Sequence, residues 1–382
     1  MIYFDNASTS HPKASGVSDA VKEILDRGCF NINRGTYAGA YEMSGLVFDA
    51  REKIAALFGC SNSRQVVFTG SITQSLNMAL KGLLRSGDHV VTTQMEHNAV
   101  IRPLRQLQAQ GVYVDVARCG EDGRLDLADM ESKINELTKL VVMSHASNVC
   151  GVILPVREVG DICHKKGALL LVDSAQTAGV LPISMLEDNI DILAFSGHKG
   201  LLALQGLGGL VLSKQIAGEI IPLIAGGTGS YSHLADMPPE LPDRLEAGTL
   251  NLPGIAALSA ALDYIAKTGI DAIYTQEMKL LARLNDGLFD IPGVRIIGPD
   301  NPTDKCAIAA LDFPEMDNGV AAARLDQEYG IMTRCGLHCA PVAHKALGTF
   351  PRGVLRCSLG HLNTEAEVDE FLIALTEISK GK

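Results

Sequence analysis

Two chemistry-bearing residues stand where an apolar run gives way to polar sequence: Asp173 in LLLVDSAQ and Lys199 in DILAFSGHKG. An amine directly behind a buried strand is no longer freely solvated, and desolvation lowers its pKa toward the value a Schiff-base nucleophile needs. A carboxylate at the end of a neighbouring strand lies at the sheet edge where α/β proteins bind ligands. Pyridoxal 5'-phosphate (PLP) uses both groups: the amine holds its aldehyde, and the carboxylate keeps its pyridine nitrogen protonated so that the ring draws electrons. Taken alone, Lys199 reads more readily as a surface lysine in a loop, so the weight falls on what surrounds it.

Other candidates also have plain structural readings. His97 in MEHNAV could be a polar residue opening a helix, and GGTGS at 226 could be any glycine-rich turn. The cysteines at 29, 60, 119, 150, 163, 306, 335, 339 and 357 form no CxxC pair and no zinc-finger spacing. They read as free thiols in a reduced compartment, and Cys339 by itself reads as a buried thiol. Cys335 and Cys339 lie four apart, but two ligands without nearby partners make no zinc site, and no metal is expected.

The elements that must position these residues alternate. Short β-branched runs at QVVFT (65), HVVTT (89), VYVDV (112), KLVVMSH (139), ALLLVD (168), IDILAFS (190) and GGLVLS (208) are separated by helical stretches. This predicts a mainly parallel seven-stranded α/β sheet covered on both faces. In PVREVGDICHKKG, from 155 to 167, a Pro suited to a first helical turn and a Gly suited to the position after a helix bracket one crossover helix. Residues 225 to 253 are rich in Gly and Pro without periodicity, the pattern of a long functional loop. Beyond it, helices at about 254 to 268 and 271 to 288, strands at VRIIG (294), KCAIAALDF (305) and GVLRCSL (353), and a last helix from about 364 predict a smaller α+β domain. The expected division is a large domain over 16–253 and a small one formed by 1–15 with 254–382.

A chain of 382 residues, 47% hydrophobic, is long enough for two cores and excludes a disordered or fibrous protein. With 33 basic and 44 acidic residues its net charge is -11, which provides no field for nucleic acid. MIYFDNASTSHPKA has no secretory pattern and no run reaches the length of a membrane span, so the cytoplasm is expected and a membrane is not.

SGHK ending at Lys199 and LVDSAQ ending at Gln176 resemble the signature of the class V aminotransferase family of fold-type I PLP enzymes, and of its cysteine desulfurase branch in particular. The similarity continues through YFDNAST at 3, NRGTYAGAYEMS at 33, FTGSITQSLN at 68, MEHNAV at 95, SNVCGV at 147, GGTGS at 226, RLEAGTLNLPGI at 244, RCGLHCAP at 334 and VLRCSLGHLNTEAEVD at 354. The short RCGLHCAP context is similar to the group II branch.

The resemblance implies a role for each matched position. Lys199 would bond the cofactor and move protons, Asp173 would pair with the pyridinium nitrogen, Gln176 would bond the ring hydroxyl, and His97 would stack on the ring. Thr73 at a helix start, with Ser196 and His198, would hold the phosphate. Thr249 would reach the phosphate of the neighbouring subunit, which implies a homodimer. Asn148 and Arg356 would grip the carboxylate of L-cysteine. Cys339 would take the sulfur as a persulfide, its thiol acidified by positive charge on the nearby Arg334 and His338. The implied activity is conversion of L-cysteine to L-alanine, with possible selenocysteine lyase activity. The sulfur would serve iron–sulfur cluster assembly or another pathway, with a sulfur-acceptor protein as its partner. Two other readings are a class V aminotransferase or β-eliminase, which needs no thiol, and a non-catalytic sulfur-carrier scaffold, which needs no Schiff-base lysine beside a carboxylate.

Overall fold

The structure is a computed structural model that describes residues 1–32, 35–299 and 301–380. Asn33 and Arg34, which open the motif at 33, lie outside the described residues. After a short first strand, β1 (Ile2–Tyr3), a seven-stranded sheet is built from β2 (Val66–Thr69), β3 (His89–Thr93), β4 (Tyr113–Ala117), β5 (Thr138–Ser144), β6 (Leu169–Asp173), β7 (Ile192–Ser196) and β8 (Gly208–Leu212). Their spatial order is β2-β8-β7-β6-β5-β3-β4, and every pair is parallel except the two made by β8. This is the mainly parallel sheet that the alternation predicts. Strands β7 and β8 are buried at every position because helices cover both faces, so their sequences read as continuous apolar runs. Strand β4 lies at the sheet edge with Tyr113 and Val116 open to solvent.

The crossover helix before β6 spans Val156–Lys166 and ends on Gly167 at φ 76. Pro155 sits at the N-cap, one position earlier than the first-turn place that its sequence suggests. Residues 213–251 contain neither helix nor strand. Glu246 ties this segment to the sheet, with its carboxylate on Arg51 at 2.5 Å and on the amide of Phe68 at 2.5 Å.

A second sheet is formed by β9 (Arg295–Ile297), β10 (Ile308–Asp312), β12 (Arg334–Gly336) and β13 (Val354–Ser358), antiparallel in the order β12-β13-β10-β9. Strand β11 (Ile331–Met332) instead pairs with β1. The helices Ile270–Phe289 and Glu365–Ser379 cover this sheet, burying Leu280, Leu284, Phe371 and Leu375. Each such side chain contributes roughly 1.5–3 kcal/mol. Helix Leu252–Thr268 lies in the same apolar cluster as the central sheet and packs against the helices Val17–Arg27 and Ala38–Leu57. Among the described residues no helix is long and apolar enough to cross a membrane.

The first ten residues link the two sheets. The amide of Ser358 donates to the carbonyl of Phe4 at 2.7 Å, and the amide of Ser10 donates to the carbonyl of His198 at 2.9 Å. The segment therefore runs from the small sheet to the turn that carries Lys199.

Candidate active site

Strands β6 and β7 are parallel neighbours, so their carboxyl ends place Asp173 and the segment Ser196–Lys199 side by side. Behind β7 the chain turns sharply: the amide of Leu202 donates to the carbonyl of Lys199 at 2.8 Å, and Leu202 takes φ 59. Burial lowers Lys199 to about 8, against the opposing pull of Asp173. Asp173 is raised by burial, while the amide of Ala175 and Lys199 hold it down. That amide occupies Oδ1 at 2.9 Å and leaves Oδ2 for another donor. Gln176 donates to the carbonyl of Ala7 at 3.2 Å and lines a cavity together with Lys199.

His97 caps the helix Asn98–Gln108, its Nδ1 accepting from the amide of Ala99 at 3.0 Å. The ring proton therefore sits on Nε2. Burial first, then the charges of Lys199 and Arg334, lower His97 to about 4, so it is neutral.

Ser196 pairs with Gly208 across β7 and β8, and a Cβ on Gly208 would fall 2.7 Å from the amide nitrogen of Ile72. The start of the helix Ile72–Leu83 is thus packed beside Ser196, with Thr73 exposed in its first turn and Ser71 at its cap. The Nδ1 of His198 is buried without a partner, and burial lowers that ring to about 4. Thr249 lies exposed in the long loop.

These groups fit PLP by their chemistry. A buried carboxyl suits the ring nitrogen, an amide suits the ring hydroxyl, and a lysine poised near neutrality suits the aldehyde. A helix start with Ser196 and His198 suits the phosphate. Among the described residues no cluster of His, Cys, Asp and Glu could hold a metal ion.

Cys339 is exposed, on the turn between β12 and the helix Pro341–Ala346. His338 and Cys339 both adopt positive φ, 47 and 58, a strained conformation for non-glycine residues that costs about 1–2 kcal/mol each. Two outside donors hold this shape: Asn148 Nδ2 to the carbonyl of His338 at 2.7 Å, and the amide of Asn98 to the carbonyl of Cys339 at 2.7 Å. The expectation that His338 supplies positive charge to the thiol is corrected here. Its ring is buried, contacts the carbonyl of Val354 through Nε2 and stacks on His344, and burial pushes its pKa down to about 2. His338 is neutral, and of the two neighbours only Arg334 carries charge.

Arg356 on β13 is 1% exposed. Its Nη1 donates to the carbonyl of Asn148 at 2.8 Å, its Nη2 meets Asp5 and Ser8, each at 2.8 Å, and its Nε has no partner. Asn148 and Arg356, far apart in sequence, are therefore directly bonded.

Sequence reasoning assigned no role to Asp5, Ser8 or Glu96, although all three lie inside motifs quoted above. Glu96 is fully buried and accepts from Thr93 Oγ1 at 2.6 Å and from the amide and hydroxyl of Ser144 at 3.0 and 2.9 Å. Ser144 is the β5 partner of Asp173. Glu96 thus bolts the turn bearing His97 to the strand beside Asp173, and burial raises it to about 7.

The model of the class V aminotransferase family matches residues 2–371, and the chain belongs to that family, whose cofactor is PLP. Within it, the chain is similar to proteins named as probable cysteine desulfurases. One, from Pyrococcus abyssi, is 36% identical over 100% of this chain and 95% of its own. Another, from Methanothermobacter thermautotrophicus, is 34% identical over 99% of this chain and 94% of its own. The solved cysteine desulfurase of Thermococcus onnurineus NA1 superposes with a TM-score of 0.93 at 33% identity, covering 100% of this chain and 95% of that one.

Proposed function

We infer that the protein is a PLP-dependent cysteine desulfurase that converts L-cysteine to L-alanine and takes the sulfur on Cys339 as a persulfide. One observation carries this reading: among nine free cysteines Cys339 is the exposed one, and its backbone is bonded to the turn that bears His97.

PLP, when bound, supplies an electron-drawing ring that weakens the bonds around the substrate's α-carbon. The chain's own residues do the rest. Asp173 keeps the ring nitrogen protonated. Lys199, lowered to about 8, moves the proton at the α-carbon in either direction near neutral pH. Arg356 and Asn148 orient the substrate carboxylate. Neutral His97 would stack against the bound ring, its Nε2–H free of the helix cap. The Cys339 thiolate attacks the substrate sulfur, so a sulfur–sulfur bond forms as the carbon–sulfur bond breaks.

The working unit in this reading is a homodimer in which Thr249 reaches the partner's phosphate. Exposed Ile221, Leu223, Ile224, Tyr231 and Leu234, all in the segment around the long loop, support it as an apolar surface in need of cover. The persulfide passes to a sulfur-acceptor protein, for iron–sulfur cluster assembly or another sulfur-using pathway, and selenocysteine is a second substrate. The nine free thiols support a reducing, cytoplasmic setting. Incubating the purified holoenzyme with L-cysteine and a reductant tests the reading: sulfide and alanine appear in equal amounts, and pyruvate or a keto acid in their place would refute it.

A further inference from the structure

The N-terminal segment lays a carboxylate and a hydroxyl on both arginines of the site. Asp5 Oδ1 lies 2.8 Å from Arg356 Nη2. Ser8 Oγ accepts from the same Nη2 at 2.8 Å and from Arg334 Nη1 at 2.9 Å, and donates to Asp5 Oδ1 at 2.8 Å. One hydroxyl therefore splints two guanidiniums to one carboxylate. The backbone holds the splint in place, since Asp5 bridges to Ser358 and the amide of Ala7 donates to Ser358 Oγ at 2.9 Å.

All three charges act on the catalytic groups. Arg356 and Arg334 both lower Lys199 and His97, whereas Asp5 raises Lys199. Within this trio, two positive groups and one negative group leave a single net positive charge. Arg356 also keeps a buried Nε–H without a partner. A second acidic group on the substrate finds Arg356 already matched by Asp5 and Arg334 held by Ser8.

We propose that Asp5 and Ser8 are a specificity-determining pair that matches the site to amino acids with one carboxylate and disfavours those with a second acidic group. The inference rests on the reading that Arg356 receives the substrate carboxylate. It concerns selectivity, not the chemical step.

The test uses holoenzyme of the wild type, Asp5→Asn, Ser8→Ala and Arg356→Ala. L-alanine, with one carboxylate, and L-aspartate, with two, are titrated while the visible absorbance of the bound cofactor reports binding and a melting curve reports folding. Asp5→Asn keeps an oxygen for Ser8 and Arg356 while removing the charge. The expected result is a shift of the alanine-to-aspartate affinity ratio toward aspartate by about fivefold or more, the scale of one charge acting across a few ångströms of partly screened protein. Ser8→Ala, which frees Arg334, shifts the ratio the same way, and it decides the matter alone if Asp5→Asn yields no folded holoenzyme. A merely structural role would move the melting curve and both affinities together, leaving the ratio within about twofold. That result overturns the inference. If Arg356→Ala weakens both ligands while the ratio stays fixed in the other variants, the specificity pair alone is wrong. If Arg356→Ala weakens neither, the carboxylate reading fails and the inference goes with it.

Discussion

The backbone amide of Asn98 donates to the carbonyl oxygen of Cys339 at 2.7 Å, so the thiol-bearing turn and the start of the helix behind His97 are one hydrogen-bonded unit. The thiol itself takes no part in that bond. Cys339→Ala is therefore expected to keep the yellow cofactor spectrum and bind L-cysteine, while alanine and sulfide production from cysteine falls nearly to zero. Replacing Cys335 or Cys357 leaves turnover largely intact. Cys339→Gly, suited to φ 58, should be more stable than Cys339→Ala by up to about 1 kcal/mol in urea unfolding. Wild-type turnover in Cys339→Ala would remove the persulfide step.

Lys199 gives the cofactor-free protein a distinctive pH profile. Its folded pKa of about 8 lies below the reference of 10.5, so between these values the unfolded chain takes up a proton that the folded chain does not. Stability falls as pH drops through that window, and the full cost stands below it. Lys199→Met in the cofactor-free state should be more stable than wild type near pH 7, by about 3 kcal/mol, with the gain vanishing toward pH 10.5. Because only the neutral amine attacks the aldehyde, cofactor capture by the wild type should quicken up to about pH 8 and then level off.

Arg356 serves the fold as well as the proposed substrate contact. Arg356→Ala leaves Asp5 without its cation and the carbonyl of Asn148 without a donor, and should cost about 3 kcal/mol in denaturant unfolding. The catalytic loss, read as kcat/KM for L-cysteine, should reach about 30-fold or more. Arg356→Lys restores charge but not the fork, and should recover stability better than kcat/KM.

Glu277, on the helix Ile270–Phe289, is buried, accepts from the amide of His361 at 3.2 Å and is raised by burial to about 8. Its folded pKa lies above the unfolded value of 4.5, so its contribution is greatest in acid and is lost as pH rises to about 8. Glu277→Gln keeps an acceptor for His361 and should stabilise the protein at pH 8 by about 2 kcal/mol or more, with no advantage near pH 4.5. A flat difference across pH would show that Glu277 is ionised at no cost.

The strands of the large sheet were legible because each is a β-branched run between helices, and Asp173 and Lys199 were legible because they end such runs. Strands β1, β11 and β12 were not: at two or three residues they are too short to show alternation, and β1 meets β11 only across most of the chain. His338 was misread because adjacency to Cys339 suggests a cation, whereas burial decides that the ring is neutral. Asp5 and Glu96 sit in quoted motifs, but their partners, Arg356 and Ser144, become neighbours only through the register of β-strands. An acid directly behind an apolar run, as Asp5 is behind Ile2 to Phe4, was the available signal.

Asp5 and Arg356 meet across 351 residues, so one half of the contact leaves the ribosome long before the other. At about 5–20 residues per second, Asp5 waits on the order of 20 to 70 s for its arginine. The strands β2 to β8 are all synthesised within that interval, but the Asp5–Arg356 contact cannot close until β13 emerges. For most of it Ile2 and Phe4, both buried in the finished protein, stay uncovered, because β11, the partner of β1, is also made late. A nascent strand in that state is open to edge-to-edge pairing and to chaperones, which makes the opening residues the stretch whose protection during synthesis matters most.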